Sequence, residues 1–569
     1  MRRRRAQSLY RRLGLPPSTA EPGRKGLVLI QIDALSYFAL QASLNRRYLP
    51  FLSRLVRRGG YRLQPFQTGL PATTPAFQTG LFYGVNDHVA GFRWMDKRTG
   101  RVMNVKRPED AAEVEAEAAR QRPGLLEGGS VHCSIVAGGA EHSTLVLSRV
   151  GAPERPVPRR TLGETLSLFL LDLWMVVRLV FAGLFEVAVE LVDGVKAEYE
   201  GRMVRGQWPF LLVRVLTNIV FRELTARNVM VDVARGMPVI YANFAGYDEL
   251  SHHRGPMALS ARLALRGTDA RVREIFRAIR KYGARDYDVF VFSDHGSVPT
   301  IPFERLTGRT LEDTLAAKLM SARDLPSGVT DAEVGRLRTL VSLQRELAQI
   351  VPRRLAALPR RLADYIEREL PPDPELRSYR EYSEIALLPT SDICHVYLTS
   401  HPDPLPLGRV RYLQPELWKL LVGHPAIWAV VGRGFVDEGM QIAEVATKTG
   451  WAFIDPSGAY RTIGEDPFQH ANFPEGIQRS LHRFAWSANA GDAILIGAKS
   501  RNHAVNFQEE FGGHGGPYPE EQIAFMISPP GVDFDFSKVA HHTELYDFFY
   551  RTYRASDAGA AAAPVQKTA

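Results

Sequence analysis

The sequence predicts an α/β protein with a mostly parallel central sheet, and three stretches carry that prediction. "KGLVLIQIDAL" (25–35), "GMPVIYANFAGYDE" (236–249) and "DYDVFVFSDHG" (286–296) are each a continuous apolar run that closes on an aspartate. Runs without polar alternation suit parallel strands buried on both faces. Helical stretches lie between them, above all "ALSARLALRGTDARVREIFRAIRKYG" (258–283), and strands alternating with helices imply a parallel sheet. Ligands of such sheets bind beyond the carboxyl ends of the strands. Asp33, Asp248 and Asp294 are therefore expected at one edge, building one site.

The chain opens with "MRRRRAQSLYRRLGL", six arginines in the first twelve residues with no apolar segment behind them, which is not a secretory signal. Residues 1–24 are expected to form a disordered basic tail able to meet phosphate, whether of nucleic acid or of anionic lipid headgroups. After the first strand, "GLPATTPAFQTGLFYG" (69–84) reads as a Pro-bounded turn before a short helix. Further on, "TLSLFLLDLWMVVRLVFAGLFEVAVELVDG" (165–194) is rich in large apolar residues but interrupted by Asp172, Arg178, Glu186 and Glu190. None of its uncharged stretches approaches the roughly 20 residues that span a bilayer as a helix. On a helix Asp172, Glu186 and Glu190 fall within about 40° of one another, which leaves a wide apolar face. With the second apolar segment at 208–221, this region is expected either to pack as a helical hairpin on the protein or in a homodimer interface, or to lie on an anionic membrane with residues 1–12 as a second anchor. Residues from about 301 to 375 look helical and charged. Strand character returns at "ICHVYLTS" (393–400), "AIWAVVGRG" (426–434) and "DAILIGA" (492–498), and the end, 556–569, is low in complexity and expected to be disordered.

A chain of 569 residues exceeds one simple core. The expected organisation is one catalytic domain over 25–555, with an apolar helical insertion at about 100–235 and a helical and cap insertion at about 301–480. Only Cys133 and Cys394 are present, so there is no disulfide framework and no cysteine metal site. The expected location is cytoplasmic or peripheral at the inner membrane surface. The net charge of +9 comes from arginine spread along the chain, without a nucleic-acid recognition motif. Specific nucleic-acid binding is not expected.

The residues able to do chemistry gather near the strand ends: Asp33, Asp248, His252, Asp294, His295, and His514 in "EEFGGHGGPYPEEQIAF". Asp248 and His252 stand four apart, so one helical turn would place both on the same side. The glycines around His514 let the backbone come close to an ion or ligand. Three carboxylates and three imidazoles without thiolate suit two divalent cations, zinc before manganese or magnesium. Thr73 and Thr74 offer a hydroxyl at a helix amino end, where a cation would lower its pKa and the helix would favour a phosphoryl group.

Asp33 after the first strand, threonine in "PATTPAFQTG", then "DELSHHRGP", "SDHG" and "GGHGG", in that order, resemble the alkaline phosphatase superfamily and within it the type I phosphodiesterase/nucleotide pyrophosphatase branch. The resemblance covers residues from about 26 to 95, 236 to 300 and 490 to 530. It implies an alkaline-phosphatase-like three-layer sandwich and a metal-dependent hydrolase acting on phosphate esters. One zinc would be held by Asp248, His252 and His514, the other by Asp33, Asp294, His295 and the threonine oxygen. The threonine would attack phosphorus and pass through a covalent phospho-threonine. The family's Pro-x-x-Thr spacing counted from Pro71 selects Thr74, while its Thr-x-Pro spacing selects Thr73; Thr74 is the choice taken here. Asn86 and Arg93, in "YGVNDHVAGFRW", are the implied substrate-binding candidates for a non-bridging phosphate oxygen.

Sulfatases share the scaffold but need Cys or Ser in a C/S-x-P-x-R setting, which this sequence lacks. Two alternatives to a phosphodiesterase or phosphatase stay open: transfer of a phospho-headgroup to a membrane lipid or glycan, and an inactive membrane-associated binding protein on the same fold. The complete donor set speaks against the second.

Overall fold

The computed structural model describes residues 25–150, 173–199, 216–316, 384–436, 439–469 and 472–554. The basic start (1–24), the 556–569 tail, and the stretches 151–172, 200–215 and 317–383 of the expected insertions lie outside the described residues.

In chain order, β1 (Gly26–Ile32) and β2 (Arg62–Gln67) lead to a small hairpin of β3 (Arg93–Asp96) and β4 (Arg101–Asn104). Next come β5 (Ser130–Ser134), β6 (His142–Val146), β7 (Val239–Phe244), β8 (Tyr287–Phe292) and β9 (Val298–Pro302). A second series follows: β10 (Ile385–Thr390), β11 (Ile393–Leu398), β12 (Ile427–Val436), β13 (Met440–Ala446), β14 (Gly450–Ile454), β15 (Tyr460–Gly464) and β16 (Ala493–Gly497). The short β17 (Lys499–Ser500), β18 (His503–Asn506) and β19 (Gly512–Gly513) precede β20 (Ile523–Ser528).

The main sheet has the order β2-β20-β8-β1-β7-β5-β6. β1 pairs in parallel with both β7 and β8, and β5 with both β6 and β7. Only β20 runs against the rest, antiparallel to β8 and β2. The apolar runs are buried on both faces, as a parallel sheet requires. In β1, Leu27 and Leu29 enter one core cluster while Val28, Ile30 and Ile32 enter the other; Phe290 and Phe292 of β8 oppose Val289 and Val291 in the same way. Each such fully buried side chain contributes about 1.5–3 kcal/mol. Helices cover both faces, which makes three layers. One of them, α1 (Thr74–Tyr83), is buried along its whole length, and a polar chain fixes it to the sheet: Gln78 donates to the Tyr241 hydroxyl, 3.1 Å, and accepts from Ser134, 3.0 Å.

The strand character of 393–400, 426–434 and 492–498 is realised in a second sheet, β10-β11-β16-β12-β13-β14-β15, antiparallel at every pairing. Of the stretch 490–530, β16 pairs with β11 and β12 in the second sheet, and only β20 joins the main one.

From Leu173 on, the apolar stretch forms α2 (Leu173–Tyr199). Glu186 and Glu190 face the protein: Glu190 is ion-paired with Arg254, and Glu186 accepts from Asn218 at 2.5 Å. Phe181, Leu184, Phe185, Leu191, Val192 and Val195 are exposed. Among the described residues, no helix is long and apolar enough to cross a membrane.

Candidate functional site

The carboxyl edge of the main sheet gathers the expected residues. Asp33 follows β1 directly and is buried. The turn behind it puts Ala34 at φ 57°, which costs about 1–2 kcal/mol for a residue with a Cβ, and presents the Ala34 N–H to Asp294 Oδ1 at 3.2 Å. After β7 the chain enters α3 (Gly246–Arg254) at once, and its first turns carry Asp248 and His252 on one side. After β8 come Asp294 and His295, both fully buried. Gly296 must be glycine here, because a Cβ would stand 1.9 Å from the Glu520 carbonyl oxygen and 2.4 Å from Ser36 Cβ. His514 follows β19 and stacks on His295 with ring centroids 4.0 Å apart.

Two donor clusters result, Asp33/Asp294/His295 and Asp248/His252/His514, each with one ligand atom per residue within 4.8 Å of the others. His295 Nε2 lies 3.2 Å from Asp294 Oδ2, and His252 Nε2 lies 3.3 Å from Asp248 Oδ1 and 3.2 Å from His514 Nε2. The other ring nitrogen of each histidine is spoken for. Nδ1 meets the Gly296 carbonyl in His295, 3.0 Å, the Ala72 carbonyl in His514, 2.9 Å, and the Gly512 carbonyl in His252, 3.0 Å. A carbonyl only accepts, so the hydrogen sits on Nδ1 and Nε2 is turned toward the cluster, the orientation that metal-ligating histidines take. Asp294 Oδ2 and Asp248 Oδ1 are buried without a hydrogen-bond donor. Lone pairs converging in this way fit a divalent cation.

Without a cation the electrostatics are costly. Burial pushes Asp294 up to about 7, and burial with repulsion from Asp294 and Asp248 raises Asp33 well above the carboxylate range. Burial holds His295 down, and burial with His295 beside it holds His514 well below the histidine range. Burial also pulls on His252, but Asp248 and Glu510 outweigh it and raise it to about 10. Cation binding releases such protons and stabilises the deprotonated donors.

Thr74 is the hydroxyl at the cluster. Its Oγ1 lies 3.3 Å from Asp33 Oδ1 and 3.2 Å from His295 Nε2, at the first residue of α1. Thr73 is the N-cap residue, its hydroxyl buried without a partner and outside the cavity wall. The cavity over the clusters measures about 220 Å³. Arg93 lines it beside Asn104 and Lys106, while Phe92, Ile135, Leu145, Leu147 and Phe221 make the rest of its wall largely apolar. Asn86 stands elsewhere and is corrected as a substrate contact: Gly84 ends α1 in the left-handed conformation, and beyond it Asn86 bonds to His542 at 3.0 Å and accepts from Arg483 at 3.3 Å. Sequence reasoning passed over Asn243, which donates to Asp33 Oδ2 at 2.7 Å, and Glu510, whose Oε2 lies 3.0 Å from His252 Nδ1. Asn243 left a signal, a polar residue at the end of an otherwise apolar strand.

Two donor clusters and a hydroxyl at the carboxyl edge of a parallel sheet, under a partly basic cavity, define the class: a metal-dependent hydrolase of phosphoric esters. Residues 27–391 match the family model described as type I phosphodiesterase/nucleotide pyrophosphatase. The match spans more than half of the chain, and the chain belongs to that family. Among solved structures, phosphonoacetate hydrolase from Sinorhizobium meliloti 1021 in complex with phosphonoacetate is similar at 12% identity and a TM-score of 0.45, over 93% of this chain and 95% of that one. Murine ectonucleotide pyrophosphatase/phosphodiesterase 5 is similar at 10% identity and a TM-score of 0.45, again over 93% and 95%. No curated protein matches the chain in sequence.

Proposed function

We propose that the protein cleaves a phosphodiester or phosphomonoester with Thr74 as nucleophile, through a covalent phospho-threonine, at a site for two zinc ions. The observation that carries this is the Thr74 hydroxyl, 3.3 and 3.2 Å from an Asp and a His of one donor cluster, with the second cluster stacked against the first. Asp33, Asp294, His295 and the Thr74 oxygen would hold one ion, and Asp248, His252 and His514 the other. When bound, such a pair lowers the pKa of the hydroxyl and offsets charge on the leaving oxygen. The donor set of nitrogen and oxygen without sulfur favours zinc over manganese or magnesium.

The chain's own part is positioning. Thr74 sits at the amino end of α1, whose free N–H groups favour the negative phosphoryl group. Its oxygen loses the proton and bonds to phosphorus while the ester oxygen leaves; water then cleaves the phospho-threonine and restores the hydroxyl. Arg93, on the cavity wall, is the proposed contact for a non-bridging oxygen. The largely apolar wall also suits an apolar ester group, and with an alcohol acceptor in place of water the same chemistry becomes headgroup transfer.

The test is a screen at pH 7 to 9 with nitrophenyl phosphomonoester and phosphodiester substrates, with and without zinc. Thr74→Ala should lose at least about a thousand-fold in kcat/KM, worth about 4 kcal/mol of transition-state stabilisation, while Thr73→Ala keeps activity. Loss in Thr73→Ala alone would move the role to Thr73.

Peripheral contact with anionic membrane, through residues 1–12 and the apolar region 165–221, is part of the same proposal. The exposed apolar side chains of α2 support it. Flotation with anionic liposomes checks it: a protein that stays at the bottom of the gradient with and without residues 165–221 counts against it.

A further inference from the structure

Resting on the two-cation reading, we infer that Glu510 is a positioning residue for one of the two sites only, supplying through His252 the second negative charge that the Asp248/His252/His514 cluster otherwise lacks. The two clusters differ in charge. The first holds two carboxylates, Asp33 and Asp294; the second holds one, Asp248. Behind the second cluster, Glu510 Oε2 lies 3.0 Å from His252 Nδ1. The histidines therefore differ too, since Nδ1 of His295 and of His514 meets a neutral backbone carbonyl and only that of His252 also meets a carboxylate. A carboxylate behind an imidazole raises the basicity of the far nitrogen and fixes the ring. With Glu510 counted, each cation faces two carboxylates, one pair direct and the other split between direct contact and one ring away.

Glu510 is built for this task. Its side chain is buried, with Asn506 donating to the same Oε2 at 3.3 Å. Its backbone is held as well: Thr300 donates to the Glu510 carbonyl at 2.7 Å, and the next residue, Phe511, donates to the His252 carbonyl at 2.7 Å. The loop that carries Glu510 is thus tied to the helix end that carries His252.

Glu510→Gln keeps the shape and removes the charge, and a titration of the metal-free full chain with zinc against a competing chelator reads the two sites separately. The wild type should take up two equivalents. In Glu510→Gln one equivalent should keep its affinity and the other weaken about 10–100-fold. Glu510→Asp, which keeps the charge but falls short of Nδ1, should show the same one-site loss and serves if the first variant folds poorly. Glu509→Gln, on the half-buried neighbour paired with Arg305, should change neither site. Two unchanged affinities, or two equally weakened ones, would overturn the inference. A wild type that binds no zinc would instead sink the two-cation reading beneath it.

Discussion

At the scale of single residues, two asparagines separate position in the chain from position in the site. Asn243 lies on a strand that ends at the cavity, and its amide holds the outer oxygen of Asp33 at 2.7 Å. Hydrogen bonds to a charged group are worth about 1.5–3 kcal/mol, and outer partners of metal ligands typically change activity 10–100-fold. Asn243→Ala should therefore lower kcat/KM about 10–100-fold in steady-state assays with zinc present. Asn86→Ala should leave kcat/KM of the folded enzyme unchanged, because its partners His542 and Arg483 lie away from the cavity. Reversal of that order would mean that the substrate is held on the other side of α1.

At the scale of elements, the two sheets meet at a pair of buried acids. Asp392, in the tight turn from β10 to β11, and Glu521, just before β20, are both fully buried beside Gly516. Burial and its neighbour Asp392 raise Glu521 well above the carboxylate range, and burial pushes Asp392 up to about 6. The fold keeps a proton that the unfolded chain releases near pH 4. For such raised groups the contribution is fully present below the unfolded value and is lost as pH climbs through the folded one. Stability of the metal-loaded protein should thus fall as pH climbs from about 4 through about 6, and Glu521→Gln, permanently neutral and able to donate to Asp392, should flatten that fall in urea melts across the range. An unchanged slope in Glu521→Gln would show that this pair holds no proton. None of this was legible in the sequence. Runs such as β1 and β8 could be read directly because burial on both faces leaves an unbroken apolar stretch. Which sheet β16 joins depends instead on partners far away in the chain, and Glu510 reaches His252 across 258 positions. The candidate metal-donor residues could be picked out because each sits a few residues beyond such a run or among glycines, where local pattern and chemistry coincide.

At the scale of the molecule, the site is also a clasp. The donors come from the ends of β1 and β8, from α1 and α3, and from the loop after β19, so the proposed ions would join segments up to 481 positions apart, from Asp33 to His514. A ligand that binds only the folded state stabilises it by about 4 kcal/mol at a thousand times its Kd. The unfolded chain scatters these donors and offers no comparable site. Two ions should then raise the melting temperature on the order of 10 °C, and a chelator should remove that gain in thermal melts at constant pH. The converging donors lack thiolate but include three imidazoles, so zinc should restore the melting temperature at lower concentration than manganese, and manganese at lower concentration than magnesium. A chelated protein that melts where the loaded one does would mean that the clusters hold no ion of consequence, and the carboxylates raised by burial would then have to be explained as protonated structural acids at the end of a parallel sheet.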